Sequence, residues 1–136
     1  MANQSIEVFV RVKPHRDPDE EGVISSSNTQ MVVEDSPPVS FRFASRVVTG
    51  SNQVLAFSSI ATRLTRRLQD GYSCTLLAYG QTGSGKTYTM LGPPGCLTEA
   101  ELDSSGDDTP ATWGIFPRVA MDLLNSGTCT LHATAV

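Results

Sequence analysis

Eight consecutive residues, Gly80 to Thr87, read GQTGSGKT and fill every fixed position of the pattern G-x-x-x-x-G-K-[ST]. These residue types suit one task, the gripping of a phosphate chain. Glycines let successive backbone N–H groups turn to one side and form a nest for an anion. A helix opening directly after the loop points its positive end at the same place. Lys86 is spaced to reach the β- and γ-phosphates, and the Thr87 hydroxyl to ligate Mg²⁺. Each charge-assisted hydrogen bond of this kind contributes about 1.5–3 kcal/mol. Several converging donors therefore hold a triphosphate without a deep apolar pocket. The plain alternative is a glycine-rich turn that binds nothing, and composition, spacing and flanks together speak against it.

Such a loop needs a strand before it and a helix after it. Thr75-Leu76-Leu77-Ala78-Tyr79 is a short apolar run between Gly71 and Gly80, expected as a strand buried on both faces of a parallel sheet. Thr87 to Leu91 suits a first helical turn, cut short by Gly92-Pro93-Pro94. Upstream, Val54, Phe57, Ala61, Leu64 and Leu68 recur at helical steps. Ser51 or Asn52 is placed to cap that helix, and Gly71 suits the position just past its end. Arg63, Arg66 and Arg67 sit late in it, where a solvated cationic face complements the helix dipole.

The remaining segments follow from their punctuation. Ile6 to Val12 alternates apolar and polar residues and is expected as a strand stopped by Pro14. His15 to Asn28 is expected as loop, and Met31–Val33 and Phe41–Phe43 as two short strands around Ser36-Pro37-Pro38. Gly92 to Thr112, with its glycines, prolines, serines and acids, is expected as a long loop, Pro117 as a first helical position, and Val119, Ala120, Leu123 and Leu124 as one apolar helix face. Asn125-Ser126-Gly127 ends that helix, and Cys129 to Val136 starts a strand.

Bulk properties narrow the function classes. The 136 residues are one domain's worth, with 39% hydrophobic content. A net charge of −4 and a pI near 5.0 give no electrostatic footprint for nucleic acid. No apolar run approaches membrane-spanning length, and from the opening Met-Ala-Asn-Gln neither N-myristoylation nor a signal peptide is expected. Cys74, Cys96 and Cys129 are widely spaced and suit a reducing compartment, and neither His15 nor His132 has metal-ligand spacing around it.

The run Gly71 to Met90, with AYGQTGSGKTYTM at its heart, resembles the kinesin motor domain. Val10-Arg11-Val12-Lys13-Pro14 is similar to that family's first strand, V-R-x-R-P. Phe41-Arg42-Phe43, Asn52-Gln53-Val54 and Gly114-Ile115-Phe116-Pro117-Arg118 resemble further family segments, so the likeness covers nearly the whole chain. Departures are Lys13 for a second arginine, Ala44 for an aspartate and Phe116 for an isoleucine. The resemblance implies an α/β fold of the phosphate-loop nucleotide hydrolase type, a central, mostly parallel sheet flanked by helices, here the N-terminal part of it over 1–136. It implies that Gly80, Gln81, Thr82, Gly83, Ser84, Gly85, Lys86 and Thr87 hold ATP or ADP with Mg²⁺, Thr87 on the metal. It also implies that Arg11 and Pro14 line the adenine side and that Tyr88 packs on the base.

Further implications concern the whole motor. Its partner would be the microtubule, without nucleic acid or membrane insertion, and its place the cytoplasm and cytoskeleton. The excursion at 92–112 would be the loop that interrupts the helix after the phosphate loop. The family's N-x-x-S-S-R-S-H and D-x-x-G-x-E segments do not occur in these residues. The chain is therefore expected to stop before the switch motifs, to leave some strand edges open, and to lack hydrolysis on its own. The alternatives are a non-catalytic nucleotide-binding or interaction module, and a small nucleotide kinase. A small kinase usually carries its phosphate loop closer to the N-terminus.

Overall fold

In the computed structural model, residues 6–14, 24–34, 36–105, 108–127, 130 and 132 are described. The chain divides into two compact units, Met1–Ser51 and Asn52–Val136. The described part of the first unit holds β1 (Val10–Val12), β2 (Ile24–Ser26), β3 (Gln30–Val33), β4 (Val39–Arg42) and β5 (Val47–Thr49). β1 and β5 pair in parallel, Val10 beside Val47 and Val12 beside Thr49. The strand expected over 6–12 is thus only its last three residues. β5 offers no ladder beyond Val47, and Ile6 and Val8 stand exposed. Val47 and Val48 are buried and form the apolar centre of this unit.

The other three strands make an antiparallel sheet in the order β2-β3-β4. β3 and β4 form a hairpin around Ser36-Pro37-Pro38 as expected, with Gln30 opposite Arg42 and Val33 opposite Val39. β4 starts at Val39, two residues earlier than the expected Phe41–Phe43, and ends before Phe43. β2 is a correction, since 24–26 falls in the segment expected as loop. Its serine-rich composition hides a strand that the free edge of β3 recruits, Ile24 pairing with Val33. Residues 15–23 of that expected loop lie outside the described residues. The α/β character holds, but parallel pairing among the described strands is confined to β1 and β5.

The second unit carries α1 (Gln53–Ile60), α2 (Thr62–Gln69), α3 (Lys86–Met90), α4 (Glu99–Ser105) and α5 (Ile115–Asn125). Asn52 caps α1, its Oδ1 accepting the Leu55 N–H at 2.9 Å. The single helix expected here is broken at Ala61. Thr62 Oγ1 donates back to the Ser58 carbonyl and Thr65 Oγ1 to that of Ala61, a bonding that bends helices. The buried stripe is Gln53, Ala56, Ala61 and Thr65, rotated about one residue from the expected one, so Val54 is exposed. α5 packs against this stripe's helices. At the end of α2 the Tyr72 N–H donates to Arg67 and the Gly71 N–H to Leu68, both at 3.0 Å. This two-bond closure, with Gly71 at φ +84°, satisfies the last carbonyls as expected.

Three further expectations need correction. Thr75–Tyr79 joins no ladder, because the described residues of the second unit contain no strand to supply one. Nor is it buried on both faces: Cys74, Leu76 and Ala78 are half-buried, while Leu77 and Tyr79 are 82% and 97% exposed. The loop expected at 92–112 contains α4, whose Glu99 and Glu101 favour the start of a helix by charge. α5 begins at Ile115, so Pro117 stands third in the helix rather than first, still at a position whose N–H needs no intrahelical acceptor. Its buried residues are Ile115, Pro117, Arg118 and Leu123, while Leu124 of the expected face is exposed. It ends at Ser126-Gly127 as expected, and the tail strand falls almost wholly outside the described residues.

Candidate phosphate-binding site

The loop between Tyr79 and α3 is built by backbone handedness. Gly83 and Gly85 take φ of +80° and +96°, and Gly85 is the N-cap of α3. Left-handed residues alternating with right-handed ones turn neighbouring N–H groups toward a common side, the arrangement that binds anions. Only glycine adopts that geometry without steric cost. The Ser84 N–H donates to the Gln81 carbonyl at 3.2 Å and closes the turn. Lys86 Nζ donates to the carbonyls of Gly80 at 2.9 Å and Gln81 at 3.0 Å. The ammonium is thereby held over the loop's own backbone. Thr87, next along α3, is exposed with its hydroxyl on the same short helix, and Tyr88 is half-buried.

A five-residue helix has few bonds of its own, so its far end must be satisfied from elsewhere. The Thr87 carbonyl accepts the N–H groups of both Leu91, at 2.8 Å, and Gly92, at 3.4 Å. Gly92 is thus turned away from Tyr88, whose carbonyl instead accepts the side-chain amide of Gln53. The Leu91 carbonyl accepts the Gly114 N–H at 2.9 Å. That bond joins the end of α3 to the start of α5 across an excursion of more than twenty residues. Gly114 is required there by close approach. A Cβ at this position would lie 2.5 Å from the Met90 carbonyl carbon and 2.6 Å from backbone atoms of Leu91.

The base of the excursion is stapled by buried groups. Trp113 Nε1 donates to the Cys96 carbonyl at 2.8 Å. Arg118 donates from Nε to the Trp113 carbonyl at 2.9 Å and from Nη2 to that of Pro110 at 2.6 Å. Burial pushes the Arg118 guanidinium below its ordinary pKa, and Asp122, one turn on, opposes the shift. The excursion thus leaves and returns through one anchored neck beside the phosphate-loop helix.

A family model described as the kinesin motor domain matches residues 3–133. The chain belongs to the kinesin motor domain family. Kinesin-like protein Klp61F of Drosophila melanogaster is 35% identical over 135 residues, 91% of this chain and 12% of that protein. Kinesin-like protein KIN-12B of Arabidopsis thaliana is 36% identical over 121 residues, 88% of the chain and 8% of that protein. Kinesin-like protein KIF15-A of Xenopus laevis is 39% identical over 98 residues, 65% of the chain and 7% of that protein. The chain thus spans about a tenth of the length of these kinesin relatives.

Within this kinesin chain the second unit gathers Gly80 to Tyr88 on one loop and one helical turn. Arg11 and Pro14 belong to the first unit. There Arg11, on β1, donates from Nε to the Gly50 carbonyl at 3.3 Å, and Pro14 is exposed just past the strand. Among the described residues no group of three or more His, Cys, Asp or Glu side chains is placed to hold a metal. Two residues with positional roles escaped the sequence reading. Gln53 stands in a family-like segment, but nothing in the residue pattern marks it as buried or as a donor to α3. Arg118 follows Pro117 in a family-like segment, but nothing in the spacing announces that it holds two carbonyls.

Proposed function

We propose that this kinesin-family chain grips the phosphates of Mg·ATP and Mg·ADP as the nucleotide-holding part of an ATP-driven microtubule motor. The observation that carries this reading is the loop Gly80–Thr87, with left-handed Gly83 and Gly85 and Lys86 Nζ poised over its carbonyls. An entering phosphate chain would meet the amides of Thr82 to Lys86. Lys86 would exchange its two carbonyls for phosphate oxygens, a stronger charge-assisted pairing. The Thr87 hydroxyl suits Mg²⁺, which usually takes one or two protein oxygens beside phosphate oxygens and water. Bound Mg²⁺ supplies neutralisation of the charge that builds on the phosphates. Tyr88 would pack on the base, with Arg11 and Pro14 lining its other side, by family likeness.

In the complete motor the same reading places Thr75–Tyr79 as a strand of a central, mostly parallel sheet. Hydrolysis there would drive movement along microtubules in the cytoplasm. Taken by themselves, these 136 residues hold no N-x-x-S-S-R-S-H or D-x-x-G-x-E segment. Phosphoryl transfer depends on positioned water, metal and charge. The chain alone is therefore read as a nucleotide binder with negligible turnover, which malachite-green assay checks; microtubule-stimulated phosphate release by this chain would refute it. Binding is tested with a fluorescent ATP analogue, with and without Mg²⁺. Lys86→Ala is expected to weaken it about ten- to a hundredfold. Equal signals from the wild type and Lys86→Ala would remove the binding claim.

A further inference from the structure

We propose that Gln53 is a positioning residue for the phosphate loop, an inference that rests on the nucleotide-binding reading above. Its side chain is 3% exposed at the first turn of α1, and its amide donates to the Tyr88 carbonyl in α3. A buried amide in a helix otherwise facing inward with Ala56 carries a desolvation cost unless its hydrogen bond does something an apolar residue would not. Here the reason is local. A helix as short as α3 cannot close the Tyr88 carbonyl internally, because the Gly92 N–H goes to Thr87 instead. The next residue, Pro93, has no N–H to offer in its place. Gln53 donates to that carbonyl from a different helix.

The clamp acts on the turn that carries the chemistry. Lys86, Thr87 and Tyr88 are consecutive in α3, so fixing the Tyr88 carbonyl fixes the azimuth of that turn against α1. At the far end of α3 the Leu91 carbonyl accepts the Gly114 N–H and, at 3.5 Å, the Cys96 thiol, while at its start Lys86 Nζ bonds the carbonyls of Gly80 and Gln81. The Gln53 bond adds a fixed point in the middle of the helix, on the turn that carries Lys86 and Thr87. Preorganisation of this kind lowers the cost of ligand binding without touching the ligand. Gln53 itself makes no contact with phosphate in this account.

The test compares wild type, Gln53→Leu, Gln53→Glu and Lys86→Ala in titrations with the fluorescent ATP analogue and Mg²⁺. Gln53→Leu keeps the volume and removes the donor, and is expected to weaken binding about five- to tenfold. Gln53→Glu keeps the shape but donates only when protonated. Burial beside a carbonyl raises a carboxyl above its ordinary value of about 4.3. The affinity ratio of wild type to Gln53→Glu should therefore be large at pH 8 and fall toward one near pH 5. Lys86 and Tyr88 on α3, Arg63, Arg66 and Arg67 on α2, and Arg118 and Asp122 on α5 are common to both proteins. The ratio therefore isolates position 53. A merely structural role would lower the Trp113-monitored unfolding midpoint without this recovery in affinity.

No binding by wild type overturns the nucleotide reading and this inference with it. Binding by wild type that Lys86→Ala abolishes but Gln53→Leu leaves unchanged overturns the inference alone. If Gln53→Leu does not fold, the pH profile of Gln53→Glu decides, and a constant ratio refutes the proposal.

Discussion

Replacing Gly114 by alanine strikes the joint on which the phosphate-loop helix depends. The added Cβ would lie 2.5 Å from the Met90 carbonyl carbon and 2.6 Å from the Leu91 nitrogen and carbonyl carbon, where ordinary contact begins near 3.4 Å. All three atoms are backbone, so no side chain swings away to make room. The end of α3 and the start of α5 must separate by roughly 1 Å, which overpacking data put at about 1–3 kcal/mol. That separation stretches the 2.9 Å bond from the Gly114 N–H to the Leu91 carbonyl, adding about 0.5–1.5 kcal/mol. The expected loss is about 1.5–4.5 kcal/mol, or about 0.7–2.3 M in urea midpoint at a slope near 2 kcal/mol per molar.

Trp113 is the ideal reporter of that change. It is the single tryptophan of the chain, 3% exposed, and the immediate neighbour of the substituted residue. Gly127→Ala serves as control: its φ is +64° with open space around a Cβ, so it should lose only about 1–2 kcal/mol from left-handed strain. If Gly114→Ala leaves the emission and the midpoint as in wild type, the close approach has no energetic weight and the joint is misdescribed.

Other perturbations follow from single interactions. Asn52→Ala removes the acceptor of the Leu55 N–H and should cost about 1 kcal/mol, read from the urea midpoint by circular dichroism. Arg118→Leu removes the guanidinium donor from the carbonyls of Trp113 and Pro110, the latter keeping the Trp113 N–H; hydrogen exchange should speed up between Pro110 and Ile115 by at least tenfold, matching about 1.5–3 kcal/mol per charged bond. Arg118→Lys should rescue this only in part, because an ammonium lacks the planar fork that reaches both carbonyls.

The most legible elements were those whose cause is local. Asn52, Gly71, Ser36-Pro37-Pro38 and Ser126-Gly127 mark starts, turns and stops through side-chain capping or glycine conformation, and the structure has each where expected. The misread elements depend on partners far along the chain. β2 exists because β3 has a free edge, and Ile6 to Phe9 fails as strand because β5 is short. Thr75–Tyr79 has the pattern of a strand, but pattern without a neighbour makes no ladder. α4 was hidden by the glycines and prolines around it, although Glu99, Ala100, Glu101 and Leu102 are sound helix formers. Of the candidate site, the loop residues and Lys86 stand out by type and spacing. The supports do not: Gln53 and Gly114 act through backbone groups of α3, which no side-chain pattern encodes.

The central claim is that backbone amides around Thr82 to Lys86 grip the terminal phosphates of a nucleotide. Amide spectra of uniformly ¹⁵N-labelled chain, titrated with Mg·ATP and separately with adenosine, test it most directly. The account predicts that the Gly83, Ser84, Gly85 and Lys86 amides shift together and saturate with Mg·ATP, and stay in place with adenosine. Amides of the loop that remain unmoved at saturating Mg·ATP would contradict it.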